Sequence, residues 1–177
     1  MAARPKQTRS KAEPRPTITV MRLYRSSLAE FWDLLTTREG LESWWGPEEV
    51  VTRVRRLELR PGGYLEYSLT TMNLDQVEAL NKAGLPLGRV ARITYTKVVP
   101  RRRLAYKTKI DFIPDVAPYE VATSVEVSAV NEGVKMVVNR DTMHDAFWTQ
   151  TAALDLDRQL NRLWKLIEDR RQKESGD

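Results

Sequence analysis

Residues 144–172, HDAFWTQTAALDLDRQLNRLWKLIEDRRQ, are the stretch from which the fold follows. With each residue turned ~100° from the last, Thr149, Ala152, Ala153, Leu156, Leu160, Leu163, Trp164 and Ile167 fall on one face, while Arg158, Asn161, Arg162, Lys165 and Asp169 fall elsewhere. The spacing predicts one long amphipathic helix, with Asp141, Thr142 or His144 as its cap. Its apolar stripe is graded, with small side chains at Thr149, Ala152 and Ala153 and large ones from Leu156 onward. Large residues fill a core; small ones leave space, which is either closed by a bulky strand residue or kept as a ligand cavity. Phe147 and Leu154 stand on the far side of this helix, where contact with an inserted helix or another subunit is expected.

Such a stripe needs a partner surface, and the preceding residues supply one. TITVMRLY (17–24) reads as a strand, and Ser26 or Ser27 then caps a short helix carrying Leu28, Phe31, Trp32 and Leu35. One further helical turn ends at WWGP, because the residue before Pro47 is pushed out of the helical region. VVTRVRRLELR, RPGG and YLEYSLT form a hairpin, and NLDQVEALNKAGLPLG a helix inserted between strands. The runs RVARITYTKVV, RLAYKTKIDF, YEVATSVEVSAV and VKMVVNR complete an antiparallel meander. Alternation puts Ala91, Ile93 and Tyr95 on one side, with Leu104, Tyr106, Thr108, Ile110 and Phe112, then Val121, Thr123, Val125 and Val127, then Val134, Met136 and Val138. The opposite side carries Arg92, Lys107, Lys109, Glu120, Glu126 and Lys135. A sheet with one dry face needs a cover, and the long final helix is the element of the right length.

The net charge of +5 on 177 residues is concentrated at one end. Arg4, Lys6, Arg9, Lys11 and Arg15 stand against Glu13 within residues 1–16, which read as a disordered basic tail ahead of a single domain over residues 17–172. The remaining body is close to neutral and has no overall field for phosphates, so nucleic acid is not expected as a partner. No apolar run reaches the roughly 18 to 20 residues needed to cross a bilayer, and the first residues lack a secretion signal's apolar centre. No membrane partner and a cytoplasmic location are therefore expected. With no cysteine there are no thiolate metal sites or cysteine nucleophiles. His144 is the only histidine, no metal-ligand spacing surrounds it, and no nucleophile elbow, phosphate loop or dinucleotide fingerprint is present. The expectation is no metal, no cofactor and no catalytic residue.

FWDLLTTREGLESWWGP followed by VRRLELRPGG, and later MHDAFWTQ and QLNRLWKLIE, resemble the bacterial homologues of the C-terminal domain of the heat-shock protein 90 ATPase activator, within the START-like, birch-pollen-allergen-like superfamily. The resemblance implies an α+β helix-grip fold, a curved antiparallel sheet wrapped around a long C-terminal helix in the order β-α-α-β-β-(inserted α)-β-β-β-β-α. Members of that superfamily hold lipids, hormones, polyketides or protein partners. Three functions follow as expectations. The first is a module binding a small hydrophobic or amphipathic molecule through Trp45, Tyr67, Tyr95, Tyr106, Thr123, Thr149, Ala152 and Ala153. In it Leu74, Val77 and Leu80 of the inserted helix form a lid, or else meet a second copy in a homodimer. The second is a protein-interaction module with a chaperone partner; in the eukaryotic activator a separate chaperone-engaging domain precedes the similar one, whereas a short basic tail stands here. The third is a cyclase or dehydratase with a cavity tyrosine, Glu66 or His144 as proton donor.

Overall fold

The structure, a computed structural model, describes residues 15–176. The expected basic tail lies outside them except for Arg15 and Pro16. Arg15 Nη1 donates to the Glu120 carbonyl at 2.8 Å, and the Thr142 amide donates to the Pro16 carbonyl at 2.9 Å.

The strands are β1 (Thr17–Tyr24), β2 (Val50–Leu57), β3 (Tyr64–Thr71), β4 (Gly88–Val99), β5 (Arg103–Ile110), β6 (Tyr119–Val130) and β7 (Gly133–Asp141), and the helices are α1 (Leu28–Thr36), α2 (Arg38–Trp44), α3 (Leu74–Lys82) and α4 (Ala146–Ser175). They form one antiparallel sheet in the order β1-β7-β6-β5-β4-β3-β2. Strands β2 to β7 are a continuous meander, and β1 returns to pair with the last of them from Thr17 opposite Asp141 to Tyr24 opposite Val134. This is the helix-grip order expected from the sequence. Register shifts at Arg55 in β2 and Thr96 in β4 each place an extra residue in the ladder, which increases the local twist and bends the sheet.

Alternation sorts the two faces. Leu65, Ile93, Leu104, Val121, Val125, Val134, Met136 and Val138 are buried against the helices, while outward positions carry ion pairs such as Arg92–Glu66 at 2.7 Å and Lys107–Glu120 at 2.9 Å. Phe112 departs from its expected column because β5 ends at Ile110, and its ring is 52% exposed.

Helix α1 opens with a capping box: Ser27 Oγ accepts from the Glu30 amide and the Ser27 amide donates to Glu30 Oε2, each at 3.2 Å. Thr37 both ends α1, its amide donating to the Asp33 carbonyl at 2.9 Å, and caps α2, its hydroxyl accepting from the Gly40 amide at 3.0 Å. Gly40 makes this tight corner feasible, since a Cβ there would lie 2.4 Å from the Asp33 carbonyl oxygen and 2.7 Å from Leu34 Cα. Both are backbone atoms that cannot swing aside. Gly40→Ala is therefore expected to lower the unfolding free energy by about 1–3 kcal/mol, measured by denaturant titration.

Helix α4 begins two residues later than expected and is capped by Asp145, whose Oδ1 accepts from the Trp148 amide at 2.8 Å. Neither Asp141, Thr142 nor His144 performs that task. Asp141 instead accepts from the Ala122 amide at 3.1 Å, and His144 faces Tyr119. Leu156, Leu160, Leu163 and Ile167 are buried as the stripe requires, but Trp164 is 48% exposed, because it lies a full 100° step past Leu163 at the margin of the buried arc. Phe147 and Leu154 are exposed.

Candidate ligand cleft

The adjacent tryptophans divide their work. Trp44, 2% exposed, donates from its indole nitrogen to the Leu34 carbonyl at 2.9 Å and belongs to the core. Trp45 ends α2 in an extended conformation, and its ring meets Tyr67 at 6.0 Å and Tyr106 at 6.1 Å between centroids, both edge-to-face. The loop behind it is tightly held. Gly46 adopts φ +99°, where a Cβ would crowd Thr52 Oγ1 and Leu69, and the Thr52 hydroxyl donates to the Trp45 carbonyl. From α4, Arg162 Nη1 donates to the carbonyls of Gly46, Pro47 and Val50 at 3.4, 2.8 and 3.2 Å, and Lys165 pairs with Glu48 at 2.9 Å. Burial draws the Arg162 guanidinium below its ordinary pKa, with Glu48 opposing.

Two spaces flank Trp45. The inner one, about 30 Å³, lies among Trp45, Tyr95, Tyr106, Leu156 and Leu160 and has room for about one water. The outer one is a cleft of about 670 Å³, open to solvent, that runs from the N-terminal half of α4 past the β3–β5 side of the sheet and is bordered also by outward positions such as Arg92, Lys107 and Glu120. Its walls include Trp45, Tyr67 and Tyr106 facing Trp148, Thr151 and Ala152, and its size falls within the range of small-molecule sites.

The tyrosine hydroxyls here are held neutral. Burial pushes Tyr106 up to about 12 and also raises Tyr67 and Tyr95, and the positive charge of Arg140 opposes the rise at both Tyr67 and Tyr106. Each is thus a hydroxyl that donates and accepts rather than an anion at neutral pH.

Residues 25–168 match the family model described as Activator of Hsp90 ATPase homolog 1-like protein. The chain belongs to this family. Among solved structures similar to it is a Chromobacterium violaceum protein at 19% identity, TM-score 0.68, covering 88% of this chain and 99% of that one. A Silicibacter pomeroyi protein named for the same family aligns at 12% identity, TM-score 0.67, over 86% and 98%, and a Staphylococcus epidermidis protein at 17%, TM-score 0.66, over 89% and 93%. At these identities the likeness is one of fold. No curated protein matches the chain.

Within this activator-homolog-like domain the residues expected to line one cavity are distributed among several places. Trp45, Tyr67, Tyr106 and Ala152 border the cleft, while Tyr95 borders the small inner space. Thr123, Thr149 and Ala153 lie off both linings. Thr123 is buried on the inner face between Tyr106 and Arg140 in register, and the Thr149 hydroxyl is occupied in accepting from the Met143 amide at 3.0 Å. Ala152 packs with Ile110, Ile113, Val121 and Met143. Leu74, Val77 and Leu80 line neither space, α3 has no buried residue, and Leu74 is 81% exposed. Of the proton donors named from sequence, Tyr67 and Tyr106 border the cleft, while Glu66 and His144 are elsewhere. Glu66 points outward, where Arg92 holds its carboxyl below the usual range. His144 lies outside the cleft, with Nδ1 2.9 Å from the Tyr119 hydroxyl and Nε2 3.3 Å from Asp145.

Most of the remaining border was not anticipated, Trp148, Thr151 and Arg140 included. Thr151 and Trp148 border the cleft one helical turn apart or less from Ala152, and Arg140 borders it from β7. Arg140 had a readable signal, since the column Val134, Met136, Val138 reaches it at the next step of two.

Proposed function

We propose that this domain binds a small amphipathic molecule in the cleft beside Trp45. The observation that carries the reading is the cleft itself: about 670 Å³ of space walled by Trp45, Tyr67 and Tyr106 on one side and by the small side chain of Ala152 on the other. Aromatic walls supply apolar contact area, and neutral hydroxyls orient a ligand without fixing a charge. A cytoplasmic setting accompanies this reading. Among the described residues no helix is long and apolar enough to cross a membrane.

Thr151 offers the cleanest test, because it borders the cleft without belonging to either buried cluster, whereas a large residue at Ala152 would press on Ile110 and Met143. Thr151→Trp is expected to leave the melting temperature nearly unchanged and to weaken binding of a hydrophobic fluorophore such as 1-pyrenebutanol by about tenfold or more, the ratio corresponding to about 1.4 kcal/mol. Unchanged affinity in that variant would place the binding elsewhere.

A further inference from the structure

A charged residue stands where the sheet's inner face should be apolar. Val134, Met136 and Val138 point inward from β7 and are all buried, and Arg140 continues that column. In register Arg140 lies opposite Ile18 on β1 and Thr123 on β6; Thr123 lies opposite Tyr106 on β5, and Tyr106 opposite Tyr95 on β4. A polar row, Arg140–Thr123–Tyr106–Tyr95, therefore crosses four strands on the dry face and runs into the cleft, which Arg140 and Tyr106 both border.

Nothing in the described residues answers this charge. The buried Arg140 Nε has no hydrogen-bond partner, and no ion pair reaches the guanidinium. Of the carboxylates at the margin of the cleft, Glu120 belongs to the outward face, where it pairs with Lys107 at 2.9 Å, while Asp111 pairs with Lys109 at 3.3 Å and Asp155 lies 3.9 Å from Arg158. Asp141, next in sequence, accepts from the Ala122 amide. Arg89 adds a second positive charge on the inner column of β4, over the Phe112 ring at 5.6 Å. An unpaired donor kept out of water is costly unless something completes it, and a planar guanidinium beside neutral hydroxyls is shaped for one carboxylate.

We infer that Arg140 receives the carboxylate of an amphipathic ligand whose apolar body lies along Trp45, Tyr67 and Tyr106. The inference rests on the reading of the cleft as a ligand site and adds the chemical class: a hydrophobic carboxylic acid in preference to the matching alcohol. The hydroxyls of Tyr67 and Tyr106 remain protonated near neutral pH and add no negative charge to compete with the ligand's carboxylate. Arg89 contributes long-range attraction at the rim.

Fluorescence titration with 1-pyrenebutanoate and 1-pyrenebutanol, identical except for the head group, tests it. The unmodified protein is expected to bind the acid about tenfold or more tightly than the alcohol, a ratio that a charge-assisted hydrogen bond supplies. Arg140→Met should bring the two affinities together by weakening the acid alone, and Arg140→Lys should restore part of the preference. Equal binding of acid and alcohol by the unmodified protein overturns the inference while leaving the cleft reading intact, and needs no variant to fold. Survival of the acid preference in a folded Arg140→Met protein also overturns it. Failure of both probes to bind removes the cleft reading, and this inference with it.

Discussion

Truncating Trp44 to alanine is expected to lower the unfolding free energy by about 3–5 kcal/mol. The indole is 2% exposed, packs in the cluster that joins α1, α2 and α4 to the sheet, and makes a 2.9 Å hydrogen bond to the Leu34 carbonyl that the variant leaves unmade. Loss of packing and loss of the donor act in the same direction. The neighbouring substitution Trp45→Ala should cost about 1–2 kcal/mol, because that ring is only partly buried and contributes mainly edge-to-face contacts with Trp44, Tyr67 and Tyr106. Binding should reverse the ranking: Trp45→Ala removes a wall of the cleft, whereas Trp44 borders only the small inner space. Denaturant titrations of the two variants, paired with pyrene binding, measure both orders. Equal destabilisation by both substitutions would contradict the division of roles.

The second large effect concerns alkaline pH. Burial raises the hydroxyl pKa of Tyr24, Tyr67, Tyr95 and Tyr106, Tyr106 to about 12 from an ordinary value of 10.0. Between those values the unfolded chain has released protons that the folded chain still holds. Stability is accordingly complete below pH 10 and falls as pH rises towards 12. Each such proton contributes a slope of up to about 1.4 kcal/mol per pH unit for as long as the folded chain holds it, and the contributions of these buried hydroxyls act in the same direction. Against a typical domain stability of about 5–15 kcal/mol, unfolding should be complete within a few pH units above 10. Tyrosinate absorbance and far-ultraviolet circular dichroism should change together in one steep transition. A gradual rise in tyrosinate absorbance while the helical signal persists would show that these hydroxyls titrate inside the folded protein.

The architecture was legible because its two periods are regular. A two-residue repeat marks the inner columns of β4 to β7, and Leu156, Leu160, Leu163 and Ile167 mark the face of α4 that covers them. The candidate site was legible at the aromatic positions Trp45, Tyr67 and Tyr106 and at the small Ala152, all of which border the cleft. Thr149 looked like a lining hydroxyl, but the chain bends back at Met143 and captures it, an interaction set by backbone path and not by periodicity. The lid assignment for α3 assumed that an apolar helix side must face the body. Its ties run instead to the ends of neighbouring strands, through Asn73 to Glu49 and Gln76 to Thr71, each at 2.8 Å. Arg140 is hard to find by hydropathy alone, because the apolar inner column of β7 ends at Val138, one step of two short of the charge.

Apart from the Thr149–Met143 hydrogen bond, the polar ties from α4 to other parts of the chain run from Asp157 to Lys165. Asp157 holds Arg22, the Leu160 carbonyl accepts from Tyr24, Arg162 grips the loop after Trp45 and Lys165 reaches Glu48. Most of the portion bordering the cleft lies ahead of Asp157. The first turns of α4 are held differently, by the packing of Ala152 against Ile110, Ile113, Val121 and Met143. For the proposed guest, the neighbouring contact on α4 is therefore the packing around Ala152, while the polar ties lie further along the helix.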